Sequence, residues 1–247
     1  MSPSFLVWFC KTVDLSGCTA PMSITLTECN TTSIKCLDSL GIQKLRGLVL
    51  EELANLAVLD CQLITKISPS GVGALELWHL PVFTEVPEHL AKLLAEKRWK
   101  KVCMDMRIWN EICSQAKKSM EVATKLWLNV RDLKELDPDK VWVAGTTLCV
   151  QGNNVTNKPT YTTVFKSVLK WLVGGGEKTK IIESIRVSST DWDWNTNPNE
   201  QKAQSLAKMV SESEEWHAML KQKTLYINNT PVHIPELTRT TSIPVPP

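Results

Sequence analysis

The 247 residues contain no run of about 18 uncharged apolar residues, so no segment reads as a bilayer-spanning helix. Familiar catalytic signatures are missing too. There is no Walker A loop, no Gly-x-Gly-x-x-Gly, no Gly-x-Ser-x-Gly and no His-Glu-x-x-His. The stretch Gly174 to Lys178 is glycine-rich, but it lacks the spacing that aims successive N–H groups at a phosphate and the Ser/Thr that would hold magnesium. It reads as a hinge or helix cap.

Phe and Tyr are scarce, 4 and 2 residues, and net charge is nearly absent at +2. That balance excludes a uniformly basic protein, so any polyanion-binding role needs local concentration of cations. Of the 8 cysteines, no two have the spacing of a zinc knuckle, and the amino terminus is a poor signal peptide. The cysteines are therefore expected to be reduced and mostly buried, in a cytoplasmic chain with no metal site and no cofactor. The Asn-x-Ser/Thr triplets at Asn30, Asn154 and Asn228 are read as chance matches.

What is present is a composition with 43% hydrophobic residues, enough for a sizeable core. The first 36 residues carry short apolar stretches broken by Ser-Gly and Asn-Thr-Thr, which predicts short strands. From Asp38 to about Lys66 a wide apolar face predicts a buried helix. Extended chain follows over 74–83, and then a helix opened by Pro87.

From Val102 the apolar or small positions Met106, Trp109, Cys113, Ala116, Met120, Ala123, Trp127 and Val130 alternate steps of four and three. That spacing predicts one long helix over 102–133. A strand at 141–150, a helix at 160–173 ending at Gly174, and a helix from an Asn197 cap to about Lys223 follow. A hairpin is expected around Asn228 and Asn229, then a Pro-rich tail. No internal repeat is visible.

The expected fold is thus α+β, a helix-rich single domain over 1–235 with two long central helices and a small peripheral sheet or hairpins. A subdivision near 135–140 and an extended tail at 236–247 complete it.

Charge is uneven: residues 87–134 carry 11 Lys and Arg against 6 Asp and Glu. The densest part is Lys97, Arg98, Trp99, Lys100 and Lys101, reinforced by Arg107, Lys117 and Lys118. Local cations release counterions from phosphates, and an exposed indole stacks on an unpaired base. The leading functional expectation is therefore a non-enzymatic binder of nucleic acid, RNA or single strand, acting through segment 92–131. Helix-surface pairing of Glu121 with Lys117 and Lys125 is the plainer account of part of this charge.

The ten tryptophans also bear on surfaces. Trp78, Trp109, Trp127 and Trp142 sit in apolar patterns, whereas Trp99, Trp192, Trp194 and Trp216 have polar neighbours and read as interface residues. Self-association as a matrix- or coat-like homo-oligomer is the second expectation. An enzyme of unrecognised type using a Cys/His pair, with His79, His89, His217 or His233, is the third. The carboxylates Asp191 and Asp193 between indoles are read as an exposed turn.

Overall fold

Leu48 and Leu50 are fully buried while Val49 and Glu51 between and beyond them are not, a period of two that only an extended strand produces. The same alternation recurs along the chain. In the computed structural model, described over residues 4–8, 13–14, 23–28, 33–35, 47–59, 64–65, 73–152, 159–189 and 199–235, it builds a ten-stranded sheet.

In chain order the elements are β1 (Ser4–Trp8), β2 (Val13–Asp14), β3 (Ser23–Thr27), β4 (Ser33–Lys35), β5 (Gly47–Glu51), β6 (Val58–Leu59) and β7 (Ala74–Trp78). Then come α1 (Glu88–Glu96), β8 (Arg98–Asp105), α2 (Met106–Ala116), β9 (Glu121–Val130), β10 (Thr147–Gly152), α3 (Tyr161–Gly174) and β11 (Ser184–Ser189). The last are α4 (Asn199–Ser211), α5 (Glu214–Leu220), β12 (Thr224–Ile227) and β13 (Thr230–Val232).

The large sheet has the order β1-β3-β5-β7-β8-β9-β10-β11-β12-β13. All neighbours pair in parallel except β12 and β13, which form the expected hairpin through Asn228. Each strand lies beside its predecessor. This is an α/β architecture of successive crossover units, as in Rossmann-like domains, but the order never reverses and so has no switch-point crevice. A sheet that grows in one direction stacks its crossover units side by side, as solenoids do.

In its first turns the return path carries a short strand, and β2, β4 and β6 form a second parallel sheet. In the later turns it carries one or two α-helices, except between β9 and β10, where only a 3-10 turn at Leu133–Glu135 intervenes. The turns share a further feature: the residue ending β3, β5 and β7 is followed by a left-handed residue, Glu28 (φ 53), Glu52 (φ 55) and His79 (φ 50). The N–H of Glu28 donates to the Glu51 carbonyl and that of Glu52 to the Trp78 carbonyl, which stitches one turn to the next.

Register aligns the buried positions into two ladders. Ile24, Leu48, Leu75, Val102, Leu126, Leu148, Ile185 and Leu225 form one. Leu26, Leu50, Leu77, Met104, Leu128, Val150, Val187 and Ile227 form the other, and no member of either is more than 1% exposed. Leu90 and Leu94 of α1, Ile108 and Ile112 of α2, and Phe165 and Leu169 of α3 join the ladders in one core. The helices thus cover the aliphatic face. Each such side chain contributes roughly 1.5–3 kcal/mol on burial.

The helix-rich expectation is corrected here. Residues 102–133 are not one helix but the end of β8, helix α2 and strand β9. The four-three spacing is genuine within α2, from Met106 to Ala116, and continues by coincidence into strands whose true signals are Val102/Met104 and Leu126/Leu128. The helix stops at Lys117, which adopts φ 57 as a left-handed C-cap. Nor is 38–66 one helix. It holds strands β5 and β6, with helical conformation described only at 64–65. The sheet is central, not peripheral.

Other elements agree more closely with expectation. Thr160 caps α3 by accepting from the Thr163 N–H, and α3 ends at Gly174, where an added Cβ would lie 2.3 Å from the Pro138 carbonyl oxygen. The carboxy-terminal helix is two, α4 and α5, separated at Ser213, whose hydroxyl caps α5 by accepting from the Trp216 N–H. The expected strand at 141–150 is confined to its second half, as β10. Asn197, the 191–194 turn and the 236–247 tail lie outside the described residues. Among the described residues no helix is long and apolar enough to cross a membrane.

Candidate functional site: the open face of the sheet

Opposite the helices, the remaining side chains of each strand line up in hydrogen-bonded register. One row reads Thr25, Val49, Glu76, Cys103, Trp127, Cys149, Arg186 and Tyr226. A parallel row two residues nearer the strand starts reads Ala74, Lys101, Lys125, Thr147, Ser184 and Thr224. On the strand-end side, Glu51 is level with Trp78, and Asp105, Asn129, Gln151 and Ser188 continue in register. Trp78, Trp127, Lys101, Lys125, Arg186 and Tyr226 are all half-exposed.

These side chains are organised. The Trp78 and Trp127 rings meet edge-on, 5.4 Å apart at 60°, and the strand between theirs carries the small, fully buried Cys103. Lys125 Nζ lies 4.1 Å from the centre of a Trp127 ring, and the Arg186 guanidinium carbon lies 5.2 Å from that of Tyr226. Lys101 Nζ donates to Glu76 Oε1 at 2.9 Å. Burial alone would lower the Lys101 pKa, but Glu76 and Cys103 together raise it. Arg186 Nη1 donates to Asn229 Oδ1 at 2.9 Å.

Beneath the aromatic layer the thiols are inert. Burial pushes Cys103 up to about 12 and raises Cys149 as well, in spite of the nearby Lys125 and Lys101. Cys113, inside α2, is likewise pushed up to about 12 by burial. All three are free thiols. His79 Nδ1 lies 3.6 Å from Glu52 Oε1, and His217 Nε2 shares a hydrogen bond with the Pro235 carbonyl at 3.0 Å. Among the described residues no group of three or more His, Cys, Asp or Glu is placed to hold a metal.

At the strand-end border of the face sits a buried carboxylate. Asp105 accepts from the His79 and Leu80 N–H groups, from Asn129 Nδ2 at 2.7 Å and from Arg131 Nη2 at 3.2 Å. Nearby, Glu135 accepts from the Arg131 N–H, and burial, aided by Asp105 and Asp132, pushes its pKa up to about 7. No motif in the sequence marks this network. Its only prior signal is an Asp directly after the apolar run Val102–Met104, at the end of β8.

The eight residues expected to bind nucleic acid are divided by the fold. Lys97 is the C-cap of α1 and is buried, with its pKa lowered by desolvation. Arg98 and Lys100 are exposed at the start of β8, and Lys117 and Lys118 are exposed where α2 ends. Lys97, Arg98, Lys117 and Lys118 therefore share the edge where strands begin and helices end, a position where helix dipoles favour cations.

Trp99 is not among them. It is 1% exposed, and its Nε1 donates to the Leu94 carbonyl at 3.0 Å. Arg107 is at the opposite edge, donating to the Leu80 and Phe83 carbonyls. Only Lys101 reaches the open face.

The tryptophan assignment also changes. Trp99 is core, whereas Trp78 and Trp127 are half-exposed on the open face. Trp109 is buried, as expected, and donates to the Trp142 carbonyl at 2.8 Å. No family model, no curated protein and no solved structure matches the chain.

Proposed function

We propose that this chain is a binding protein that takes a protein partner on the open face of its sheet. The reading is carried by one observation: the face that the described residues leave uncovered presents Trp78, Trp127, Arg186 and Tyr226 together, half-exposed, on a parallel scaffold. Trp, Tyr and Arg are the residue types that dominate interface energetics, because they desolvate large areas with few rotamers to freeze. Solenoids use such continuous faces to engage extended partners.

The test compares proteins co-purified with the wild type, with Trp127→Ala, with Arg186→Glu, and with Lys170→Glu on the exposed side of α3. Retention of a common partner by wild type and Lys170→Glu, with loss in both face variants of unchanged melting temperature, is the expected result. Identical profiles for all four proteins would overturn the reading.

Nucleic-acid binding by the basic tract stands as a second reading, supported by the exposed Arg98, Lys117 and Lys118 at one edge, with Lys97 buried and outside this exposed group. Its test is salt-dependent retention of a U-rich oligonucleotide that weakens on replacing Arg98, Lys117 and Lys118 by Ala. Binding unaffected by these replacements would remove it.

A further inference from the structure

Lys101 and Lys125 are direct register partners on adjacent strands, an arrangement that costs free energy when both are charged. Arg186 lies on the strand after next from Lys125, and all three cations act electrostatically on one point, the thiol of Cys149. The two rows that hold them contain a single carboxylate on β7 to β12, that of Glu76, which is bonded to Lys101. Lys125 and Arg186 instead rest on the rings of Trp127 and Tyr226, Arg186 also donating to the uncharged Asn229 Oδ1. The Trp127 Nε1 is enclosed and has no acceptor among the described residues. Around Cys149 the two rows therefore hold three cations against one carboxylate, a surplus of positive charge framed by two aromatic rings.

Toward the amino terminus the sign reverses: Glu28, Glu51, Glu52 and Glu76 lie on or beside β3, β5 and β7. A uniform polyanion laid across the face would meet these carboxylates. A peptide with acidic residues at one end would not.

Resting on the proposed protein-binding role, we infer that Lys101, Lys125 and Arg186 seat the Asp or Glu side chains of an acidic peptide segment of the partner, with Trp127 and Tyr226 packing its apolar residues. Charge-assisted hydrogen bonds from Lys and Arg are the strong class, and the half-buried setting limits screening by salt.

The experiment titrates full-length protein with labelled 12-residue peptides carrying one Phe and either four Glu, four Gln or four Lys, followed by anisotropy. A U-rich 12-mer oligonucleotide is the competing probe. The Glu peptide should bind at least about tenfold more tightly than the Gln peptide, and Lys125→Glu and Arg186→Glu should each weaken it by about tenfold or more. Lys170→Glu should leave it unchanged, and melting temperatures should confirm that all variants fold.

Equal binding of the Glu and Gln peptides, or an Arg186→Glu variant that binds like wild type, overturns the inference. So does an oligonucleotide that binds more tightly than the Glu peptide through these same residues. If a co-purified partner is lost in Trp127→Ala but retained in Lys125→Glu, the acidic-segment assignment fails while the open face keeps its binding role.

Discussion

Asp105 and Arg131 form an ion pair at 3.2 Å that ties the end of β8 to the residue after β9, and the Asp105 side chain is only 4% exposed. The carboxylate has four donors around it, so its charge is compensated without water. Removing the acceptor would leave the fully buried Asn129 amide and the Leu80 N–H without a partner, and Arg131, one-third exposed, without its counter-ion. Asp105→Ala should lower stability by about 3–5 kcal/mol in urea denaturation. Asp105→Asn, which keeps a carbonyl oxygen, should cost less. A loss below about 1 kcal/mol for the Ala variant would show that this network is not a structural tie.

Glu135 makes stability fall as pH rises. Its pKa lies near 7 in the folded chain against an ordinary value of 4.5, so the unfolded chain ionises first. Below pH 4.5 the group contributes no penalty. Between 4.5 and 7 the penalty grows, and above 7 it levels off at up to about 3 kcal/mol before solvent screening reduces it. Glu135→Gln keeps an oxygen for the Arg131 N–H, and should flatten this part of the stability profile. Urea midpoints measured from pH 5 to 8 check this, and an unaltered slope in the Gln variant would contradict it.

Where a segment's own chemistry fixed its state, the sequence was legible. Thr160, Pro87 and the Asn228 turn mark their elements correctly because caps and turns depend on neighbouring atoms alone. Residues 102–133 mislead because a strand, a helix of 11 residues and another strand happen to preserve one spacing across their joints. What separates them is Lys117 in a left-handed conformation, which a lysine does not advertise.

The repeat was hidden for a different reason. Strand starts advance by 23 to 27 residues from Ser23 through Thr147, but by 19 from Ser4 to Ser23 and by 40 from Ser184 to Thr224, so the spacing drifts and only its middle turns keep a common length. The open face could be found only after register was known, since Lys125, Trp127, Arg186 and Tyr226 are separated by up to a hundred residues and meet through strand pairing.

Trp99 provides the sharpest contrast between a stacking platform and a core residue. It is enclosed against α1 with its N–H bonded to the Leu94 carbonyl, while Lys100 beside it is exposed. Trp99→Ala should cost about 3–5 kcal/mol through the cavity and the lost hydrogen bond. Lys100→Ala should stay within about 0.5 kcal/mol. Chemical denaturation of both variants tests the assignment, and a Trp99→Ala protein as stable as wild type would return the indole to the surface.

Lys117 separates architecture from binding in one substitution. Its φ of 57 places a Cβ-bearing residue in the left-handed region, while its N–H closes α2 onto the Cys113 and Ser114 carbonyls. Glycine adopts that conformation without the steric cost, so Lys117→Gly should raise stability by about 0.5–1 kcal/mol, less a few tenths for the cation lost from the helix end. The same variant removes one of the exposed cations at the strand-start edge. Thermal melts should therefore shift upward while any oligonucleotide affinity of that edge falls. A downward shift would mean that the lysine side chain stabilises the helix end by more than its backbone geometry costs.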